Sequence, residues 1–165
     1  MLVALKQIIQ RFNSDDEGAA LVEMAIVTPF VLLLSAGVFE FGNILNTRML
    51  LDAGVKDAAR YMARCSSDWD TCKPLAQKLA ANGAIDGTVA RVNGWLPEQV
   101  EITKTSTQAI DTATGTELYL SSTANVIVAQ VSTSYPYPDL GLWSYLGFSG
   151  QLALTVSHQE RVFGW

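Results

Sequence analysis

An α+β fold, with one long N-terminal helix packed on a small antiparallel sheet, is predicted by three features of this 165-residue sequence. A dense apolar run lies between Ala19 and Phe41, an amphipathic pattern continues past it to Met62, and strand-like alternation dominates the C-terminal third. The length suits one small domain plus an anchor and is short for two ordinary domains.

The opening MLVALKQIIQRFNSDDEG has Leu2, Leu5, Ile9 and Phe12 at helical spacing, yet it is too short and too polar to cross a bilayer. A secretory signal would place its cleavage site after the apolar core. Here the order is inverted: Gly18 precedes that core, so a cut at the glycine leaves the hydrophobic helix on the mature chain. From Ala19 to Phe39 the only ionisable residue is Glu23. At about 1.5 Å per residue this run spans the roughly 30 Å of a hydrocarbon core, which predicts one transmembrane helix. Beyond it, Ile44, Leu51, Val55, Ala58 and Met62 recur at helical steps of seven, four, three and four, with Asp52, Lys56, Asp57, Arg60 and Arg64 largely elsewhere on the wheel. The helix is expected to continue to about Arg64, its outer part packing on something outside lipid.

Periodicity stops around CSSDWDTC, and Pro74 is placed in the first turn of a short helix, PLAQKLAANG, ended by Asn82 and Gly83. Then QVEITKTST alternates, TELYLSSTANVIVAQVSTSY is rich in β-branched residues, and QLALTVSHQERVFG alternates again, which predicts three strands. DTATG reads as a turn, and YPYPDLGLWSYLGFSG as a long connection marked by Pro136, Pro138 and glycines. The expected organisation is therefore a leader over 1–18, a membrane helix over 19–41, its continuation over 42–64 and an α+β domain over 65–165.

A formal charge of -5 and the lack of a basic patch with interleaved aromatics argue against nucleic-acid binding. Cys65 and Cys72 are the only cysteines and His158 the only histidine, so one chain cannot supply four Cys/His zinc ligands. One local disulfide between Cys65 and Cys72 is the expectation, with two free thiols the alternative; a disulfide implies an oxidising compartment. His158 alternates in phase with Leu152, Leu154 and Val156 and reads as a partly buried structural residue. Asp68 and Asp70 beside Trp69 lack a calcium-loop pattern and read as a solvated loop. No phosphate loop, nucleophile elbow or metal motif points to an enzyme, a cofactor or a bound metal.

Glu23 is the distinctive residue. It lies about 6 Å along the helix axis from Ala19, near the headgroups, where a carboxylate costs far less than at the bilayer centre. Cleavage after Gly18 would turn Ala19 into an N-terminus whose ammonium has an ordinary pKa of about 7.7–8, one helical turn from Glu23. In a bundle, the carboxylate of one subunit would also meet the ammonium of the next, and an unpaired charge in low dielectric would penalise a subunit out of register. Pro29 has no N–H and opposes the carbonyl of Ala25, so a kink is expected there.

Gly18 followed by small and apolar residues, with Glu23 fifth after it, resembles the processing site of type IV pilin-like proteins. EGAALVEMAIVTPFVLLLSAGVFEFGNIL resembles, more narrowly, the TadE-like pseudopilins, through Ala19 to Glu23, Pro29 and the triplet Glu40-Phe41-Gly42. DAGVKDAARYMA and VSTSYPYP are similar to later segments of that family. The resemblance implies a pilin-like fold and a minor pseudopilin or assembly subunit of a Tad-type secretion or adhesive-pilus machine. It implies cleavage by a prepilin peptidase after Gly18, insertion in the inner membrane with the C-terminal part in the periplasm, and pilins, pseudopilins and the pilus assembly platform as partners beside the lipid bilayer. Lys6 and Arg11 precede the span while Arg48, Lys56, Arg60 and Arg64 follow it, so charge counting alone favours the opposite orientation. The alternative function is an unprocessed single-span receptor or ligand-binding protein, whose helix would end near Thr47.

Overall fold

A computed structural model describes residues 16–65, 67–118, 125–147 and 150–163. Residues 1–15 of the expected leader, and residues 119–124 of the expected second strand, lie outside them. Helix α1 spans Asp16–Ala63 without interruption, 48 residues or about 72 Å. Helix α2 is Trp69–Asn82, and the strands are β1 (Val100–Gln108), β2 (Asn125–Pro136) and β3 (Ala153–Arg161), with a one-turn helix α3 (Leu142–Tyr145) between β2 and β3. The strands form an antiparallel sheet in the order β1-β2-β3. The architecture is α+β, a long apolar helix packed through its second half on a three-stranded sheet.

The two halves of α1 meet different surroundings. From Ala19 to Phe39 every residue is exposed save for half-buried Gly37. From Leu51 to Met62 the apolar stripe becomes core, and Leu51, Val55, Ala58 and Met62 are all fully buried. The polar side of the stripe is paired instead: Lys56 bonds Asp52 one turn back, and Asp57 takes a hydrogen bond from Arg91 at 2.6 Å.

Two helices cross tightly at Gly54. A Cβ there would strike the carbonyl oxygen of Ala80 in α2 and lie 2.7 Å from the Trp95 ring. Trp95 is fully buried, and its Nε1 donates to Thr133 Oγ1 at 3.1 Å, which in turn donates to the Gln99 carbonyl at 2.9 Å. The indole therefore packs on α1 with its ring and on β2 with its polar edge, as a buried tryptophan must.

Helix α2 begins five residues before Pro74, not at it. Pro74 thus sits inside the helix rather than in its first turn. Asp68 precedes the helix, its carbonyl accepting from Thr71 and Cys72 at 3.1 Å, so the acidic loop expected at 68–70 is largely the start of α2. The C-terminus agrees with the sequence: Gly83 takes φ of 79° and its N–H reaches the Leu79 carbonyl at 3.0 Å, a left-handed cap that glycine adopts without Cβ strain. Cys65 and Cys72 are joined in a disulfide with Cα atoms 6.4 Å apart, tying the end of α1 to the start of α2.

Along β2, Ala129, Val131, Thr133 and Tyr135 are buried at every second position, facing the helices. Opposite them in β3 lie Glu160, His158, Val156 and Leu154, so His158 shares the inner face with the apolar residues. It is half-buried and meets Glu160 Oε2 at 3.2 Å. Asp111 caps its own turn through Ala113 N–H (2.9 Å) and Thr114 Oγ1 (2.7 Å), and Gly115 closes it with φ of 67°. These hydrogen bonds, led by Thr114, hold the Asp111 carboxyl below its ordinary pKa.

Gly54→Ala is expected to lower stability by about 1–3 kcal/mol, because an intrinsically better helix former is outweighed by overpacking against a backbone carbonyl and a rigid ring. Thermal unfolding in detergent micelles checks this, and an unchanged midpoint would refute it.

Candidate functional site

The residues singled out in the sequence are dispersed along α1. Gly18, Ala19, Glu23 and Pro29 all lie in its helical first half. Glu23 is exposed, and none of the described residues pairs with it. Glu23 is four residues after Ala19, which keeps both on one face. At Pro29 the helix is unbroken; Thr28 Oγ1 bonds the Met24 carbonyl at 2.5 Å, one residue before the Ala25 carbonyl that the proline leaves without a donor. Ser35 Oγ makes the same backward bond to Val31, at 2.8 Å. Of the residues expected to act together, the structure unites Cys65 and Cys72.

The polar site that the fold does assemble centres on Glu40, where α1 changes from exposed to packed. Glu40 is only 1% exposed although it directly follows the apolar run. Its carboxyl oxygens accept the Leu140 N–H at 3.0 and 3.2 Å, across 100 residues of sequence. One turn on, Asn43 Nδ2 donates to the Tyr137 hydroxyl at 2.7 Å, and that phenol also interacts with Glu40. Phe41 meets Trp143 edge-on, ring centroids 6.1 Å apart at 82°. Glu40, Phe41 and Asn43 thus grip the Tyr137–Trp143 loop from one short stretch of helix.

The loop is shaped to be gripped. Tyr137 N–H bonds the Leu152 carbonyl at 2.8 Å, extending the β2-β3 pairing by one rung. Pro136 and Pro138 flank it and fix its backbone. Asp139 accepts from both Ser144 N–H and Ser144 Oγ at 2.9 Å, closing the turn around Gly141, which has φ of 111°. Burial, reinforced by Glu40 and Asp139, pushes the Tyr137 phenol above its ordinary pKa even though Asn43 pulls the other way. Tyr135 is raised for the first of those reasons; its hydroxyl donates to the Asn93 carbonyl at 2.6 Å.

Glu40 was missed as a site residue from sequence because it sat within a recognised triplet, with nothing to say that it would be buried. A signal exists nonetheless: a carboxylate one helical turn before Asn43, at the boundary of an apolar run, in a chain whose sole Tyr-Pro-Tyr-Pro segment offers a compact polar partner. The arrangement is suited to holding a loop. Among the described residues no group of three or more His, Cys, Asp or Glu converges as a metal site. The clefts beside the loop and beside α1 are shallow and open, without a cluster of reactive side chains.

Against this geometry, a family model described as TadE-like protein matches residues 18–60. The matched segment runs from the glycine, through the apolar stretch and the Glu40 triplet, to the core stripe beyond Gly54. The match covers the part of α1 that carries Gly18, Glu23, Pro29, Glu40 and Gly54. Comparisons with curated proteins and with solved structures returned no match.

Glu40→Ala removes the acceptor for the Leu140 N–H, and loss of such a bond costs about 1–3 kcal/mol. Exchange of the Leu140 amide is expected to accelerate roughly ten-fold or more, while amides of β1 hardly change; equal acceleration in both would mean general unfolding instead of a released loop. Because both tyrosine pKa values are raised in the folded chain, their stabilising contribution is complete below the unfolded value of about 10 and is lost as pH rises through the folded values. Stability should thus fall above about pH 10, and less steeply in Tyr137→Phe; denaturant titrations at several pH values provide the check.

Proposed function

We infer that the protein is a non-enzymatic assembly subunit, a minor pseudopilin of a Tad-type pilus or secretion machine, whose α1 anchors it as a single span and whose sheet domain contacts other pilus components. One observation carries this reading: a single unbroken helix, matched by the TadE-like family model over 18–60, that is exposed and largely apolar from Ala19 to Phe39 and contributes to the core of the domain in its second half. An apolar helix that is exposed on all sides needs lipid, or other helices like itself, as its surroundings.

Processing by a prepilin peptidase after Gly18 completes the reading. Gly18 is the weakest helix former in its turn, so local unwinding to present the Gly18–Ala19 bond costs little there. The new Ala19 ammonium then pairs with Glu23, within a chain or between neighbours, and sets the register of packed helices. The orientation is N-terminus cytoplasmic and domain periplasmic in the inner membrane, supported by the Cys65–Cys72 disulfide, which persists in an oxidising compartment. The receptor alternative called for a helix ending near Thr47, whereas α1 continues to Ala63.

In cells that hold the peptidase, the mature protein should begin at Ala19; intact-mass spectrometry that finds residues 1–17 still attached would rule out processing. Glu23→Ala should insert normally yet lose co-assembly with other pilus subunits in cross-linking and pull-down assays, with Glu23→Asp partly restoring it. Normal assembly of the alanine variant would refute the pairing role.

A further inference from the structure

We propose that the loop Leu140–Leu146 is a second membrane contact, seated in the headgroup region beside the point where α1 leaves the hydrocarbon. The proposal rests on the reading of α1 as a membrane span.

The loop exposes apolar and aromatic surface although it belongs to the extramembranous domain: Tyr145 is 82% exposed, Leu140 63% and Leu146 46%. Trp143 stacks edge-on against Phe41, itself exposed at the end of the apolar run. Asp139 is the only charged residue from Tyr135 to Ser157, and its carboxylate is occupied by the two Ser144 donors. In water this is an unfavourable surface for a loop. Leucine with tryptophan and tyrosine is instead the composition that settles at a membrane–water interface, where an aromatic ring lies among acyl chains and its polar edge stays wet.

Position identifies the occupant. The axial rise from Ala19 to Glu40 is about 32 Å, against a hydrocarbon core of roughly 30 Å. With Ala19 at one boundary, Glu40 stands at the other. The loop cannot drift from that level, because the Glu40 carboxyl holds the Leu140 N–H and Phe41 holds Trp143. Any bilayer that encloses the exposed half of α1 therefore meets Leu140, Tyr145 and Leu146 at its surface. The contact is continuous with the span, and the loop lies on the interface without crossing it.

Site-directed spin labelling of the full-length chain in phosphatidylcholine–phosphatidylglycerol liposomes tests this, with the native disulfide kept oxidised. Labels are placed at Tyr145→Cys, at Leu34→Cys in the middle of the exposed run, and at Thr107→Cys on the distal end of β1; all three side chains are exposed, so folding is preserved. Collisions with oxygen, which partitions into lipid, are compared with collisions with a water-soluble nickel chelate. The oxygen-to-nickel ratio at residue 145 is expected to be several-fold above that at 107 and below that at 34. A ratio at 145 equal to that at 107, with a high value at 34, overturns the proposal and leaves the span intact. Loss of collisions with both reagents at 145 also overturns it, since that reports burial by another copy of the chain. A low ratio at 34 overturns the span and, with it, this contact.

Discussion

Two environments act on one helix. Between Phe39 and Glu40 the environment of α1 changes from exposure on every side to contact with its own domain, and a continuous helix has no turn or linker in which to absorb the change. The burden falls on the side chains at the boundary. Burying a carboxyl without partners would cost several kcal/mol, so the Glu40 site exists only because the Tyr137–Leu140 loop presents an N–H and a phenol at the right height. The chain brings that loop back to the boundary after building the whole sheet, which makes the grip long-range in sequence and late in the order of chain growth.

Past the boundary, close approach replaces polar contact. Gly54 lets α1 and α2 cross with backbone against backbone, and the space left by its missing side chain is occupied by the Trp95 ring. Through Thr133 the same indole reaches the central strand, so the helix pair and the sheet are fixed to each other by one residue from a segment without regular structure. The many alanines of the interface, Ala58, Ala59, Ala76, Ala80 and Ala81, have the same effect: small side chains bring the helix axes together and let larger groups fill the periphery.

The long helix, its buried stripe and the three strands were legible because each depends on periodicity over many residues. Leu51, Val55, Ala58 and Met62 sit on the predicted face, and His158 shares the inner side of β3 with Leu154 and Val156. Local rules did less well where a tertiary contact decides. Pro74 was read as a first-turn proline, yet α2 starts at Trp69, where Cys72 is held by the bond to Cys65 and the Asp68 carbonyl closes the first turn. Ala19 and Glu23 were singled out by their spacing to Gly18, a pattern along one helix. Glu40 was not, since its burial is created by a loop 100 residues away, and the polar pattern of Glu40 and Asn43 at the end of the apolar run does not say which segment returns to it.

The fastening of α1 to β3 has a mechanical side. Strand β3 runs alongside the second half of the helix in the same direction: Leu152 and Tyr137 lie at the Glu40 end, and Phe163 N–H bonds the Ala63 carbonyl at the other, at 3.0 Å. The helix from Glu40 to Ala63 and the strand from residue 153 to 163 are both about 35 Å long at their respective rises. Held at both ends, they share a tensile load. A pull along the helix axis therefore loads the Glu40–Leu140 bond at one end and the Ala63–Phe163 bond at the other together, not one after the other.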